Sequence, residues 1–564
     1  METDMKRFAA CAALAAAIVL PSIASGQDQL QQLDERFEPD RPVLSETGTV
    51  LPRFDPVSPP PQAAAIRFLL REVIIEGNSA LTDDLIDDAY LTLIGSEISI
   101  AQVFGIANEI TRLYGDEGYP LSRAIIPAQE IDARGILRVA IVEGFADTVT
   151  VSGPAEGNLR VDAYAASIRA ERPLTSATLE RYLLLGDDLP GIEVSSILQR
   201  SEMTPSATDI LLNSRATDPT EFSLSFDNRG TEAVGPHQLS FFGSFQNALH
   251  QNSATSVRLV VANPIDELAY GAIEHSFIVG GEGTEISFGV RFSASDPGTD
   301  ALTAIELSSE ATTWSVGVDH PFVRSRNNNL IGYATLEARD SETDSIGGLL
   351  TQDRIRSLRF GLNYDAALDT GAVFTAAAEA SFGVAGLGAN ENANSLNSRD
   401  EGLVDYRKLT FDLSYTRPLD GLLGGEAPWS FGVALTGQIT GEPLLASEEC
   451  AFGGRQFARG LDPSTISGDQ CLGVDIELGR SIDAGATFLD DMRVYGFADY
   501  GAVRNLDTGA ASGWASVASL GMGANFAFSD ALGGSLEIGV PVRDTTVLEL
   551  DRSPRATFSV TWDF

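Results

Sequence analysis

The chain from Glu221 to Phe564 is dominated by a two-residue alternation of apolar and polar side chains. The stretches EISFGVRFS (285–293) and RKLTFDLSY (407–415) show it most clearly. Because successive side chains of a β-strand point to opposite faces, this pattern predicts strands with one apolar and one polar face. Dividing the region at its Asp, Gly, Asn and Pro turns gives 16 predicted strands. Such a region forms either a membrane β-barrel or a large soluble β protein.

The N-terminus bears on this choice. It carries Lys6 and Arg7, then an apolar run over 8–20 and small residues at positions 22, 24 and 26. This is the pattern of a cleaved secretory signal, so residues 1–26 are predicted to be a signal peptide and the chain to be exported. No later run of about 18 apolar residues predicts a spanning helix, so any segment in a membrane has to be a β-strand of a barrel.

The C-terminus also favours a barrel. The last stretch, ATFSVTWDF, predicts a strand with four apolar side chains on one face: Phe558, Val560, Trp562 and Phe564. Aromatic side chains near strand ends suit the interfacial girdles of outer-membrane barrels, and closure removes sheet edges that lipid could not satisfy. We therefore predict a membrane all-β barrel of 16 antiparallel strands over 219–564, with this last strand serving membrane assembly.

Charge and composition limit the other functions. The formal net charge of -41, from 79 acidic and 38 basic residues, argues against a surface built for nucleic acid. We find no cluster of nucleophile, base and orienting residue and no phosphate loop, so no enzyme activity and no cofactor are predicted. The four histidines are scattered in the sequence and predict no metal site: His237, His250, His275 and His320.

Two cysteines remain after the predicted signal, Cys450 and Cys471. In an oxidising compartment such a pair predicts a disulfide that closes a surface loop. Two free thiols are the alternative.

The region before the barrel predicts a helix, a linker and two α+β modules. Residues 27–65 begin with Leu30, Leu33 and Phe37 at helical spacing and continue as a proline-rich linker. Residues 66–144 have the order βααββ, and 145–218 look like a weaker copy. Repeated modules favour a binding arm. An extended partner segment could pair with exposed strand edges, for which the sequence suggests 138–142 and 209–212.

Five stretches carry a family resemblance: GYPLSRAIIPAQEIDARGILRVAIVEG, LLLGDDLPGIEV, SFDNRGTEAVG, FGGRQFARG and FADYG. In this order they are similar to the two-partner secretion outer-membrane transporters of the TpsB family, the haemolysin secretion/activation type within the Omp85 superfamily. The resemblance covers essentially the whole mature chain. It implies a plug helix, a linker, two periplasmic POTRA domains and a 16-stranded barrel.

The resemblance also assigns roles to a loop at about 441–472, between the eleventh and twelfth predicted strands. In the family this loop folds into the lumen and carries a Val-Arg-Gly-(Tyr/Phe) tip, and the tip here is FARGL. Arg459 matches the tip arginine. On the thirteenth predicted strand, Asp499 matches the wall carboxylate that faces it, between Phe497 and Gly501. The alternative is an exposed arginine in a long extracellular loop.

The glycines of this loop have a physical reason. Gly453, Gly454 and Gly460 let the backbone turn and approach the wall where side chains would clash. Ala458 and Leu461 depart from the family tip, which leaves the packing around it open.

The implied function is a translocation pore for one or few large exported polypeptides. The partner, a TpsA-like exoprotein, would be recognised unfolded by the POTRA domains and secreted across the outer membrane without nucleotide hydrolysis. The implied location is the bacterial outer membrane, with the POTRA domains in the periplasm. Other expected partners are outer-membrane lipid and, during biogenesis, the barrel-assembly machinery. The alternatives are an Omp85-type factor that assembles outer-membrane proteins and, less favoured, a passive porin.

Overall fold

The structure is a computed structural model that describes residue 37 and residues 56–131, 133–204, 207–419, 429–482, 489–508, 513–544 and 552–564. The predicted signal peptide lies outside the described residues, as does the predicted plug helix apart from Phe37. No helix among the described residues is long and apolar enough to cross a membrane.

The first module contains the predicted strand, helices and two strands, and a short additional strand pair. Helix α2 (Ile100–Asp116) begins at a capping box in which Ser99 and Gln102 exchange hydrogen bonds between side chain and backbone. Its apolar face, including Val103, Ile106 and Ile110, is buried against the sheet. The elements are β1 (Arg67–Leu69), β2 (Glu72–Glu76), α1 (Asp83–Asp87), a 3-10 turn (Leu91–Leu93), β3 (Glu97–Ser99), α2 (Ile100–Asp116), β4 (Arg123–Ile125) and β5 (Ile136–Val142).

The second module repeats the order of strand, two helices and two strands. Its core lies between the helices and one sheet face, with Tyr164, Ile168 and Leu179 almost completely buried. The elements are β6 (Phe145–Ser152), α3 (Leu159–Ala170), α4 (Ser176–Asp187), β7 (Ile192–Arg200) and β8 (Ala207–Ala216).

The strand order of the modules corrects the predicted partner edges. The sheets have the orders β2-β5-β4 and β6-β8-β7. Residues 138–142 belong to β5 and residues 209–212 to β8, which are the central strands. The edge prediction is wrong because each last strand pairs parallel with the first strand of its sheet and antiparallel with the strand before it. The edges are β2 and β4 in the first module and β6 and β7 in the second.

The predicted 16-stranded antiparallel barrel is confirmed, and it is closed by pairing of the last strand, β26, with the first, β9. A short hairpin of β20 (Cys450–Phe452) and β21 (Ile466–Gly468) belongs to a loop, so β22 and β23 are the twelfth and thirteenth barrel strands. The barrel strands are β9 (Thr220–Asp227), β10 (His237–Gln246), β11 (Ser253–Asn263), β12 (Ala269–Val279), β13 (Thr284–Ser295), β14 (Ser308–Arg324), β15 (Asn328–Ser345), β16 (Gly348–Ala367), β17 (Val373–Gly383), β18 (Arg407–Pro418), β19 (Trp429–Thr440), β22 (Gln470–Ile482), β23 (Asp491–Arg504), β24 (Ala515–Ser529), β25 (Leu532–Asp544) and β26 (Arg555–Asp563). A four-residue helix, α5 (Asp300–Thr303), lies between β13 and β14.

The two faces of the wall follow the alternation. On β18 the outward-facing Leu409 is exposed, whereas its neighbour Lys408 is buried in the lumen. At the C-terminus Val560, Trp562 and Phe564 are exposed on the outside of the barrel, and Phe558 lies beside Phe226 of the first strand. The apolar face is therefore the outer face.

The second module is docked on barrel turns at the end where the modules join the barrel. Asp188 forms a bidentate pair with Arg324 at the end of β14, at 2.7 and 2.8 Å. The hydroxyl of Tyr182 donates to Glu282, between β12 and β13, at 2.8 Å. Asn158 of the second module also contacts the turn between β10 and β11. Its side-chain amide exchanges two hydrogen bonds with that of Asn252. These contacts fix the module under barrel strands two to seven.

Candidate functional site

The loop between β19 and β22 folds back into the barrel lumen as a hairpin. Phe452, at the end of β20, lies against the wall at Gly473 and Gly501. A Cβ on either glycine would come within 2.6 Å of the Phe452 ring. Gly501, predicted as a wall residue near the loop, therefore makes room for the ring that holds the hairpin to the wall.

The turn of the loop depends on left-handed backbone. Gly453 and Gly454 have φ values of 116° and 101°, and a Cβ on Gly453 would lie 2.0 Å from the carbonyl oxygen of Asp462. Ala458, directly before the tip arginine, also has positive φ, at 56°. Glycine is needed at the first two positions because both the conformation and the space exclude a side chain.

Arg459 lies at the tip and is buried among carboxylates of the wall. Its Nε and Nη2 donate to the two oxygens of Asp499 at 3.0 and 2.8 Å, and its backbone N–H donates to the same carboxylate at 2.9 Å. Nη2 also contacts Asp475, and Nη1 lies 3.4 Å from Glu477 and 3.6 Å from Glu537. One guanidinium thus joins carboxylates from β22, β23 and β25, with a bidentate fork on Asp499.

An aromatic ring supports the arginine from below. The guanidinium carbon of Arg459 lies 3.6 Å from the ring centroid of Phe497, a cation–π contact. Phe497 in turn covers Gly521 on β24, where a Cβ would lie 2.2 Å from Cζ of the ring. Burial disfavours the charged form of Arg459, but the hydrogen bond and charge of Asp499 outweigh it and raise the pKa of the guanidinium. The tip arginine remains charged.

The residues beside the arginine close the tip against the wall. The backbone N–H of Gly460 donates to Ser519 at 3.0 Å, and a Cβ there would lie 2.9 Å from the backbone of β25. Arg555 donates to the carbonyl oxygen of Leu461 at 2.8 Å. Ala458 and Leu461, whose packing the sequence left open, are buried in an apolar cluster with Phe452, Phe457 and Val517. Phe452 and Phe457 of the same loop therefore pack around Ala458 and Leu461.

The base of the loop is held by a disulfide, which the sequence predicted, and by an ion-pair cluster, which it did not. Cys450 and Cys471 are bonded, which ties the hairpin to β22. Glu448 is buried between Arg359 and Lys408, at 2.9 and 2.8 Å. Burial raises the pKa of Glu448, but the two cations prevail and lower it to about 2. One signal was available, because Lys408 is the only lysine after the predicted signal peptide.

A second arginine, with its side chain 11% exposed, holds the outer half of the loop. Arg399, from the loop between β17 and β18, contacts Asp469 at 2.6 Å and Asp507 at 2.7 Å. The carboxylate of Asp469 also accepts from the backbone N–H groups of Leu444 and Leu506. Three outer loops therefore meet at Asp469, which is fully buried.

The described part of the predicted plug segment is a single residue in contact with the barrel. The ring of Phe37 lies 5.0 Å from that of Tyr270, whose side chain faces the lumen. Around this pair is an apolar cluster that includes Val234, Leu268 and Leu302. Among the described residues, no group of three or more His, Cys, Asp or Glu side chains is arranged to hold a metal ion.

Comparison with known proteins then decides the family. Residues 206–526 match the family described as haemolysin secretion/activation protein ShlB/FhaC/HecB, which is more than half of the chain. The chain belongs to this family. Residues 68–144 also match the ShlB-type POTRA domain, within the first module. The resemblance noted in the sequence is confirmed, and the chain is a TpsB transporter of the Omp85 superfamily in the outer membrane, with POTRA domains in the periplasm.

This chain is similar to known proteins over nearly its whole length. The heme/hemopexin transporter protein HuxB of Haemophilus influenzae strain 86-028NP is 22% identical over 558 residues, which cover 95% of this chain and 94% of HuxB. Among solved structures, CdiB from Escherichia coli has a TM-score of 0.73 at 19% identity, covering 96% of this chain and 98% of CdiB. BamA from Haemophilus ducreyi lacking POTRA domains 1–3 has a TM-score of 0.51 at 14% identity, covering 88% and 100%. These structures share the fold.

Proposed function

We propose that this two-partner secretion transporter captures one or few large, unfolded exported polypeptides through its periplasmic modules and passes them through the barrel without nucleotide hydrolysis. The observation that carries the proposal is the charged hairpin in the lumen, held by Arg459 on Asp499. A lumen hairpin fixed to the wall by a buried ion pair suits a polypeptide pore, which has to stay closed when idle. On this proposal the chain has no enzymatic activity.

Capture is proposed to use the free edge of β7. The second module, which we assign as the second POTRA domain, has this nine-residue strand at one edge of its sheet. An extended partner segment can pair with such an edge through main-chain hydrogen bonds while side chains select the sequence. Ile197 on β7 is 46% exposed and offers an apolar contact to the incoming segment.

The absence of nucleotide hydrolysis is supported by the glycine-rich stretch GMGANF. It lies inside β24, which is followed by β25. A phosphate loop requires a glycine-rich turn that leads into a helix N-terminus. The free energy for secretion is then supplied by folding of the partner outside the cell.

The remaining partners follow from the surface. The apolar outer face, with Trp314 and Trp562 exposed, is proposed to contact outer-membrane lipid. The C-terminal strand β26, which closes the barrel, is proposed to be used by the barrel-assembly machinery during biogenesis. The acidic net charge supports the prediction that nucleic acid is not a partner.

The deciding experiment compares the secreted and outer-membrane proteins of the source cell, by mass spectrometry, with and without this chain. We expect one or few large exoproteins to disappear from the medium and to return on complementation. A general fall in outer-membrane barrels would support the assembly-factor alternative. No change in either fraction would contradict transport and favour a porin.

A further inference from the structure

Two histidines that are 25 positions apart in the sequence meet on the outer face of the barrel, at the rim next to the second module. Nε2 of His250, in the turn between β10 and β11, lies 3.3 Å from Nε2 of His275 on β12. The two rings meet edge to face, with centroids 5.2 Å apart. The sequence predicted no metal site because these residues are separated by 25 positions, and the antiparallel hairpin removes that separation.

The other ring nitrogens define how the pair is oriented. Nδ1 of His250 lies 3.1 Å from the carbonyl oxygen of Gln251, which can only accept, so this nitrogen carries a proton. A neutral ring then has its lone pair on Nε2. Nδ1 of His275 lies 2.9 Å from the hydroxyl oxygen of Thr255, which can accept in the same way. When Thr255 accepts, both Nε2 atoms carry a lone pair, and one cation beside them can take both as ligands.

The separation fits a metal ion. Zn–N bonds of 2.0–2.1 Å at a tetrahedral angle put two nitrogens about 3.3–3.4 Å apart. The Nδ1 contacts to Gln251 and Thr255 are the kind of outer hydrogen bond that fixes the tautomer of a ligating histidine. We propose that His250 and His275 form a two-histidine site for a borderline divalent ion such as Zn²⁺, Cu²⁺ or Ni²⁺, with water in the remaining positions.

The position of the pair gives the site a structural role. The turn that holds His250 also carries Asn247, which donates to the carbonyl oxygen of Pro190 at 2.6 Å, and Asn252, which pairs with Asn158. The strand that holds His275 leads to Glu282, which pairs with Arg181 at 3.2 Å. A bound ion therefore links one turn on which the second module is docked to the strand that leads to another such turn, and it stiffens the joint between module and barrel.

The test uses the full-length protein without a histidine tag, purified in detergent and titrated with Zn²⁺ by calorimetry and with Cu²⁺ by electron paramagnetic resonance. We expect one equivalent of each ion, a copper spectrum split by two imidazole nitrogens, and loss of the site in both His250→Ala and His275→Ala. His320→Ala is the matched control, because Nδ1 of His320 lies 2.8 Å from Thr284 on another strand pair. Heat-modifiable electrophoretic mobility checks that each variant is folded.

A second measurement addresses the joint. Zn²⁺ should slow amide exchange in the turn 247–252 about tenfold in the wild type and leave it unchanged in folded His275→Ala. Binding that survives both substitutions, or a wild-type protein that binds no ion, would overturn the site. In the latter case the 3.3 Å contact is an ordinary N–H···N hydrogen bond.

Discussion

At the residue scale, Arg459 neutralises a wall that would otherwise carry a dense negative charge. Asp499 is fully buried, and its two oxygens receive three hydrogen bonds from Arg459 alone. Removal of one partner of a buried pair leaves an uncompensated charge, which costs about 3–5 kcal/mol. Because each 1.4 kcal/mol is about tenfold in an equilibrium, the docking of the tip has to weaken by more than about a hundredfold.

We therefore expect Arg459→Ala to reduce secretion of the partner strongly while the barrel still inserts. Arg459→Lys is the informative companion, because an ammonium keeps the charge but cannot form the bidentate fork or the flat contact with Phe497. It should restore secretion only in part. Partner in the medium is measured by immunoblot, and insertion by heat-modifiable mobility. Normal secretion by both variants would show that the loop tip has no role in secretion.

Glu448 should make the base of the loop sensitive to acid. Its folded pKa of about 2 lies below the ordinary value near 4.3, so its ion pairs stabilise the fold fully above about pH 4.3. This contribution is lost as the pH falls from about 4.3 to about 2. Glu448→Gln leaves Lys408 without this carboxylate, whereas Arg359 keeps Glu337 at 3.1 Å and Glu379 at 3.5 Å, and it should lower stability by about 3 kcal/mol at neutral pH.

The measurement for Glu448 is the temperature at which the heat-modifiable band converts, in wild type and variant, from pH 7 downwards. The difference between the two proteins should shrink as the pH drops below 4.3. A difference that is constant with pH would show that the variant acts through packing and not through charge.

At the scale of elements, local pattern and long-range pairing differ in how far the sequence reveals them. Residues 209–212 were predicted to lie in a strand of the second module, and they belong to β8, Ala207–Ala216. The central place of β8 in the sheet was not predicted, because it depends on pairing with the distant β6, in which Phe145 lies opposite Ala207, as well as with the adjacent β7. The faces of the barrel strands were predictable because alternation is a local property.

The residues of the candidate site also fall into two groups, those that the sequence revealed and those that it did not. Arg459 and Asp499 were found because they lie in short recognisable stretches. Glu448, Arg399 and Asp469 were missed, since an isolated charged residue in a loop carries no periodic signal and its partners come from distant strands. The pair of His250 and His275 was missed for the same reason.

The close packing of β23 against β24 gives a prediction for secretion and stability. Phe497 covers Gly521, and a Cβ there would lie 2.2 Å from the ring and 2.3 Å from the carbonyl oxygen of Ile538, so Gly521→Ala should displace both Phe497 and β25 and weaken the contact with Arg459. Gly533→Ala, on β25, is the control, because its Cβ would meet nothing closer than 3.5 Å. Secretion and the heat-modifiable midpoint should fall in the first variant only. Equal behaviour of the two variants would mean that the wall adapts without affecting the tip.

At the scale of the whole molecule, the loop places one cation among four carboxylates of the barrel wall. Withdrawal of the tip exposes Asp475, Glu477, Asp499 and Glu537 to the lumen, with Arg459 no longer opposite them. A channel lined by carboxylates concentrates cations over anions.

We therefore expect Arg459→Ala channels in planar bilayers to be more cation-selective than the wild type, which shifts the reversal potential in a KCl gradient toward the potassium potential. The double variant Arg459→Ala with Asp499→Asn should shift less, because one carboxylate is gone. A reversal potential equal in all three proteins would show that these carboxylates do not face the ion path.

The position of the second module bears on where a transported polypeptide enters the barrel. It is docked below barrel strands two to seven, whereas Arg459 is anchored on strands twelve, thirteen and fifteen. In a ring of 16 strands these two groups lie on nearly opposite walls. On the proposed capture by the second module, a polypeptide enters the channel beside one wall and crosses its width before it reaches the loop tip on the other.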